Sequence, residues 1–166
     1  MEYGKYGKVN SNWELQDCMV GRGSWRNFSG EQGTYNDAGE RGFTVFLPPF
    51  LYDEMLEEGW YVKHKEKYAG DEREFQIDVK IDFEHYPPSI TMVSYDGTSV
   101  IMGPENISLL QTADFERCDL IIRPYNWKSQ RGDSGVAAYV DTMTVWVKKP
   151  RRSVNASFGE RDEEDY

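Results

Sequence analysis

Alternation of apolar and polar residues over Phe75–Glu84 constrains the fold of this chain more than any other feature. The apolar positions are Phe75, Ile77, Val79, Ile81 and Phe83, and each is followed by a polar or charged residue. Successive side chains of a β-strand point to opposite faces. The segment therefore predicts a strand with one buried and one solvated face, which needs neighbouring strands to complete a core.

Similar patterns predict further strands. Alternating apolar residues over Val136–Val147 indicate a second long strand, and Leu120–Ile122 is typical of a central strand covered on both faces. Asp96-Gly97 lies between Ser89–Ser94 and Ser99–Met102, which is a strong signal for a two-residue hairpin turn.

Helical signals are confined to two short segments, Pro48–Gly59 and Pro104–Leu110. Many short strands with two small helices predict a mainly β fold, namely an OB-like antiparallel barrel, with a small sandwich as the alternative. We divide the chain into a flexible arm (residues 1–14), the OB-like domain (15–150) and a disordered tail, first basic and then acidic (151–166).

Composition excludes several classes of protein. The 166 residues suit one domain, and no run of eighteen apolar residues offers a membrane span. The N-terminus carries no apolar secretion signal, so we expect the protein to stay in the cytoplasm. In that compartment Cys18 and Cys118 should be reduced and buried.

Motifs for catalysis are missing from the sequence. There is no G-x-S-x-G, no phosphate-binding loop with its lysine, and no Cys/His cluster with zinc-ligand spacing. Asp78, Asp82 and Glu84 share one strand face, but they alternate with Lys80 as on an ordinary solvated surface. We expect no enzyme activity, no cofactor and no metal; a carboxylate-metal nuclease is the remote alternative.

Aromatic and cationic residues recur side by side, and the strongest group is Arg123, Tyr125 and Trp127. Spaced by two, they should share one sheet face and form a stacking platform with a charge beside it. Such platforms bind unpaired bases with little sequence preference. The alternative is a structural cluster in which Arg123 pairs with Asp119 or Glu116.

Other groups are weaker candidates. Trp25 either stacks on bases or packs inside, and Arg26 reaches a phosphate from the margin of its strand. Tyr61, Lys63 and Lys65 share a face that either follows phosphates or is merely solvated. The remaining candidates for nucleic-acid contact are Arg41, Lys128 and Trp60, and Trp60 either belongs to the core or forms part of a stacking platform.

Net charge opposes this interpretation, since it is −10 overall. The last seven residues contribute −4 of it, leaving −6 elsewhere, so any polyanion-binding surface must be a local patch. The acidic tail residues, Asp162, Glu163, Glu164, Asp165 and Tyr166, either imitate a polyanion or recruit a partner.

The sequence resembles the small single-stranded DNA-binding proteins of bacteriophages from Trp25 to about Val147. The most specific segment is Asp119–Trp127. It is supported by Arg26–Gly30, Tyr35-Asn36, Gly39–Phe43, Glu58–Lys63 and Pro87-Pro88. Arg26, Arg41, Trp60, Arg123, Tyr125 and Trp127 occupy positions that match the family pattern.

The resemblance implies an OB-like fold that coats single-stranded DNA during phage replication and recombination in the cytoplasm of the bacterial host. It also implies that the acidic tail engages replication or recombination proteins, or competes for the DNA-binding groove. A protein-interaction or virion-assembly module, with the same aromatics as interface anchors, is the alternative function.

Overall fold

The structure, a computed structural model, describes residues 4–22, 25–33, 37–65 and 75–150. These residues form eleven strands, one α-helix and a short 3-10 helix. The strands are β1 (Lys5–Val9), β2 (Asn12–Gln16), β3 (Met19–Val20), β4 (Arg26–Asn27), β5 (Arg41–Phe46), β6 (Val62–His64), β7 (Phe75–Ile81), β8 (Ser89–Val93), β9 (Ser99–Met102), β10 (Phe115–Lys128) and β11 (Ser134–Val147). The α-helix, α1, spans Pro49–Glu57, and the 3-10 helix spans Ile107–Leu110.

The strands join into one sheet with the order β1-β2-β10-β11-β7-β5-β3. In addition, β4 pairs with β5, β6 with β7, and β8 with both β11 and β9. The predicted mainly β class is confirmed. In the described part of the chain, β1 and β3 lie at the two ends of this strand order. The hydrogen bonds between strands therefore do not by themselves close the sheet into a barrel.

Two ladders differ from the predicted antiparallel arrangement, because β11 pairs in parallel with β7 and with β8. The reason is topological: the long β10–β11 hairpin returns the chain beside β7 in the direction that β7 already runs. Alternation within one strand carries no information on the direction of its neighbour.

The core lies under the alternating apolar positions. Ile77 and Val79 of β7 are fully buried, as are Met143 and Val145 of β11. A register shift between Ile121 and Ile122 changes which residues of β11 face inward from that point on. Burial of these branched and aliphatic side chains is the main stabilising term of such a domain.

Local sequence signals predict the α-helix and one hairpin correctly. In α1, Pro49 stands in the first turn and Leu51 and Met55 are buried, and Gly59 after it adopts a φ of 93°. Gly97, with a φ of 91°, turns the β8–β9 hairpin as predicted. The second predicted helix is a 3-10 turn.

The prediction of a flexible arm over residues 1–14 is wrong for residues 5–14, which β1 and β2 occupy. A two-residue connection, with Asn10 at a φ of 60°, joins these strands into a hairpin. Its anchor is Trp13 and Leu15, which alternate into the core at 3% and 0% exposure. The period of two in this short segment is a strand signal that the Gly- and Asn-rich surroundings obscured.

Cys18 and Cys118 are both buried free thiols, as predicted. Hydrogen bonding from Cys18, together with burial, raises the pKa of the Cys118 thiol. No helix within the described ranges is long and apolar enough to cross a membrane. The predicted disordered tail, residues 151–166, lies outside the described residues.

Candidate nucleic-acid interface

The outer face of β10 carries the predicted platform. Along β10 the buried side chains are Cys118, Leu120 and Ile122, so residues of the opposite parity point outward. Arg123, Tyr125 and Trp127 have that parity. Tyr125 is 40% and Trp127 is 36% exposed, whereas Arg123 is half-buried. The three residues therefore share one solvent-facing wall.

Trp127 lies directly against the backbone of β11. Its partner in the ladder is Gly135, and a Cβ added there would come within 2.8 Å of the indole Cζ2. No real contact is that short, so only glycine lets the ring settle on the strand at this position. The indole is thus held in place while part of its surface remains exposed.

Tyr125 belongs to a cluster of three tyrosines. Its ring centroid lies 5.8 Å from that of Tyr86 and 5.7 Å from that of Tyr139, and Tyr86 and Tyr139 are 5.6 Å apart. All three pairs are tilted or edge-to-face, which is the favoured geometry for aromatic contacts. Desolvation, with the nearby Asp82 carboxylate, raises the pKa of Tyr139. The Tyr139 hydroxyl therefore stays neutral at physiological pH.

Arg123 is fixed against this cluster. Its Nη2 donates to the carbonyl oxygen of Tyr86 at 3.1 Å, and its guanidinium carbon lies 4.6 Å from the centroid of the Tyr86 ring. Neither partner carries a formal charge.

The structure does not support the alternative of a neutralised Arg123. Asp119 instead binds Arg117, whose Nε and Nη2 donate to its two carboxylate oxygens at 2.9 and 3.1 Å. Within the residues that the structure describes, no carboxylate forms an ion pair with Arg123. Its positive charge is therefore available to an incoming anion such as a phosphate.

A second group of aromatic and cationic side chains lies around β6. Lys65 places its Nζ 4.8 Å from the centroid of the Trp25 ring, and Trp25 meets Phe46 edge-to-face at 5.4 Å. Lys63 pairs with the Asp78 carboxylate at 2.5 Å, and Thr44 Oγ1 donates to the same carboxylate at 2.7 Å. Trp25 is thus half-buried on the surface rather than inside the core.

The two groups share one face, and Lys80 connects them. Tyr139 is the ladder partner of Lys80, whose side chain is exposed, and Asp78 lies two residues before Lys80 on the same strand face. We call this surface the aromatic–cationic face. Its members are Trp25, Lys63, Lys65, Lys80, Tyr86, Arg123, Tyr125, Trp127 and Tyr139.

Three of these members were missed in the sequence. Alternation with acidic residues predicts an ordinary solvated face for Lys80, and Tyr86 and Tyr139 lie outside the predicted groups of aromatic and cationic residues. Tyr139 can be predicted from the sequence if β10 and β11 are paired as a hairpin, because it then lies directly opposite Arg123. Tyr86 reaches the cluster from a separate loop, which no local pattern reveals.

Arg26 is not placed to contact DNA, contrary to the prediction. It is 5% exposed, its Nε donates to Gly21 O at 2.6 Å, and its Nη1 donates to Ala113 O at 2.6 Å. The guanidinium also lies 3.9 Å from the Phe115 ring centroid. Desolvation, with repulsion from Arg22, lowers the pKa of Arg26 to about 10. Arg26 shares its strand parity with the buried Phe28, which is why it points inward.

Trp60 is also buried, at 4% exposure, so its predicted stacking role does not fit. Its Nε1 donates to Glu58 Oε1 at 2.9 Å, and Trp13 Nε1 donates to the same oxygen at 3.0 Å. Lys8 Nζ lies 3.1 Å from that oxygen. Desolvation opposes ionisation of Glu58, but these three hydrogen bonds outweigh it and hold its pKa below the usual value.

The last two predicted residues have different positions. Arg41 is half-buried, and its Nε donates to Phe28 O at 3.0 Å, so it anchors the loop that leads into β5. Lys128 is exposed at the end of β10, next to Trp127. The tail residues 162–166 lie outside the described residues.

In residues 4–22, 25–33, 37–65 and 75–150, no group of three His, Cys, Asp or Glu side chains could hold an ion. What the aromatic–cationic face offers is ring surface with cations beside it. That combination suits unstacked bases joined by phosphates.

Comparison with known proteins gives an independent assignment. The family model described as "Putative phage ssDNA-binding domain" matches residues 8–158. No curated protein matches the chain by sequence.

Solved structures with a similar fold include the single-stranded DNA-binding protein from bacteriophage Enc34. Its C-terminal truncation has a TM-score of 0.54 at 12% identity, covering 90% of this chain and 97% of that chain. The same phage protein in complex with ssDNA has a TM-score of 0.51 at 14% identity, covering 92% and 97% of the two chains. At such identities the likeness shows a shared fold.

Proposed function

This chain belongs to the family of putative phage single-stranded DNA-binding domains, and from that premise we propose that it coats single-stranded DNA without strong sequence preference. It does so by stacking and phosphate contacts rather than by chemistry on the DNA. The setting is phage replication and recombination in the host cytoplasm, where such strands are transiently exposed.

One observation carries the proposal: Arg123 keeps an unneutralised charge among aromatic rings that are exposed or half-buried. A guanidinium beside Tyr86, Tyr125 and Tyr139 can meet a phosphate while the rings take the adjoining bases. Every base has a π-face, so stacking of this kind tolerates any sequence and typically contributes ~1–3 kcal/mol per base. Duplex DNA keeps its bases stacked on each other and cannot use the rings.

We also propose that the sheet is an OB-like barrel. The support is the segment Asn12–Val20, in which β2 pairs with β10 and β3 pairs with β5. Asp17, at a φ of 56°, bends the chain between them, and Cys18 N still donates to Cys118 O of β10 at 2.9 Å. A bent strand that borders both β10 and β5 would complete a ring of five strands with β11 and β7.

The acidic tail has a regulatory role in this proposal. With five acids against one arginine in its last seven residues, it suits either basic surfaces of replication and recombination proteins or the aromatic–cationic face itself. These two roles predict opposite effects of its removal on DNA affinity.

Fluorescence anisotropy tests the proposed function. Labelled oligo-dT should bind more tightly than a duplex of the same length, and log K should fall linearly with log[salt], because cations that bind phosphates release counterions. Magnesium added to the same samples should cause no degradation. Equal affinity for both forms, or no binding to either, would contradict the proposal and favour the protein-interaction alternative.

A further inference from the structure

We propose that Asp82 is a positioning residue, which builds the turn that holds Arg123 and Tyr86 ready for DNA. The inference rests on the proposed function and deepens it. It concerns a carboxylate next to the aromatic–cationic face, where a negative charge would by itself repel phosphates. A favourable role of this carboxylate in DNA binding must therefore offset that repulsion.

Asp82 organises the loop that follows β7. Its Oδ1 accepts hydrogen bonds from the backbone N–H groups of Glu84 and His85, both at 3.0 Å. Its Oδ2 lies 3.1 Å from His85 Nδ1, and its carbonyl accepts from Tyr86 N at 3.2 Å. Asp82 and Tyr86 also form an isolated antiparallel bridge. An aspartate that caps its own following turn in this way fixes the local backbone.

The turn fixes both the backbone carbonyl and the aromatic ring of Tyr86 in the interface. The carbonyl of Tyr86 receives the hydrogen bond from Arg123, and its ring underlies the guanidinium and contacts Tyr125 and Tyr139. Pro87 follows directly, which restricts Tyr86 to extended backbone. Three residues of the interface, Arg123, Tyr125 and Tyr139, thus contact this one loop residue.

The physical benefit is preorganisation. A free arginine side chain loses much rotamer freedom when it binds, and a guanidinium already held between a carbonyl and a ring loses less. The Asp82 turn therefore favours the bound geometry before DNA arrives. Removing the turn should weaken DNA binding even though it also removes a repulsive charge.

Two substitutions separate the turn from the charge. Asp82→Asn keeps an oxygen that can cap the turn and removes the charge, so it should bind oligo-dT as tightly as the unmodified chain or more tightly. Asp82→Ala removes the cap as well and should bind about fivefold more weakly, in keeping with the ordering cost of one long side chain. Circular dichroism and thermal unfolding of both variants establish that they are folded.

A double-mutant cycle with Arg123→Ala tests the route through Arg123. Asp82→Ala should weaken binding clearly less in the Arg123→Ala background, because only the part of the effect that acts through the Tyr86 ring remains. An equal loss in both backgrounds, or Asp82→Ala binding as tightly as Asp82→Asn, would overturn the positioning role. If the unmodified chain failed to bind oligo-dT at all, the proposed function itself would be wrong.

Discussion

Removing the two exposed rings of the platform, by Tyr125→Ala with Trp127→Ala, should weaken binding of oligo-dT about 30-fold. Each ring that stacks on a base contributes ~1–3 kcal/mol. We take the low end, because Tyr125 already contacts Tyr86 and Tyr139, and the Trp127 indole lies against Gly135. Two contributions of ~1 kcal/mol give ~2 kcal/mol, and each 1.4 kcal/mol is a factor of ten in Kd.

The fold should survive this double substitution. Both side chains are on the outer wall, at 40% and 36% exposure, and the inward residues of β10 are unchanged. The assay is fluorescence anisotropy of labelled oligo-dT, with thermal unfolding measured on the same samples. Tyr95→Ala is a matched control, because Tyr95 is 60% exposed and lies in the β8–β9 turn, near the opposite end of β11. A loss below threefold in the double variant, or an equal loss in the control, would refute the platform.

Three further outcomes are expected. Asp78→Asn removes a negative charge from the aromatic–cationic face and frees Lys63 from its ion pair. Oligo-dT affinity, measured by anisotropy, should therefore rise about two- to fivefold at low salt. The control, Asp53→Asn on α1, should change the affinity little. Glu58→Ala leaves two buried indole N–H groups without their acceptor and should cost about 2 kcal/mol of unfolding free energy in denaturant titrations, with Glu57→Ala as control. Because the folded-state pKa of Glu58 is depressed, its ionisation stabilises the protein above its unfolded pKa, and this stabilisation is lost as pH falls through the folded value. Deleting residues 160–166 should tighten DNA binding if the tail occupies the face; unchanged or weaker binding leaves only the recruiting role.

Short-range patterns predicted much of the sheet and of the platform. The period of two located β7 and β11, because each strand exposes one face and buries the other. The same rule placed Arg123, Tyr125 and Trp127 together, since it needs only their spacing. It could not say which face of a strand is inward, so it left Trp60 open between core and platform and placed Arg26 at the surface.

The buried positions of Arg26 and Trp60 have a common physical cause. Arg26 is buried because backbone carbonyls from Leu110 and Ala113, more than eighty residues away, accept from its guanidinium. Trp60 is held against a distant strand, because it forms an isolated bridge with Val136 of β11. Long-range contacts of this kind leave no mark on the local pattern, and the same holds for the loop that brings Tyr86 to Arg123.

Photo-crosslinking tests the central claim most directly, because it reports where the bases lie. Oligo-dT containing 5-iododeoxyuridine would be irradiated with the full chain, and the crosslinked peptides would be identified by mass spectrometry. The account predicts crosslinks at Tyr125, Trp127 and Tyr139 on the aromatic–cationic face. Crosslinks confined to Tyr95 and Trp146, at the other end of β11, would contradict it.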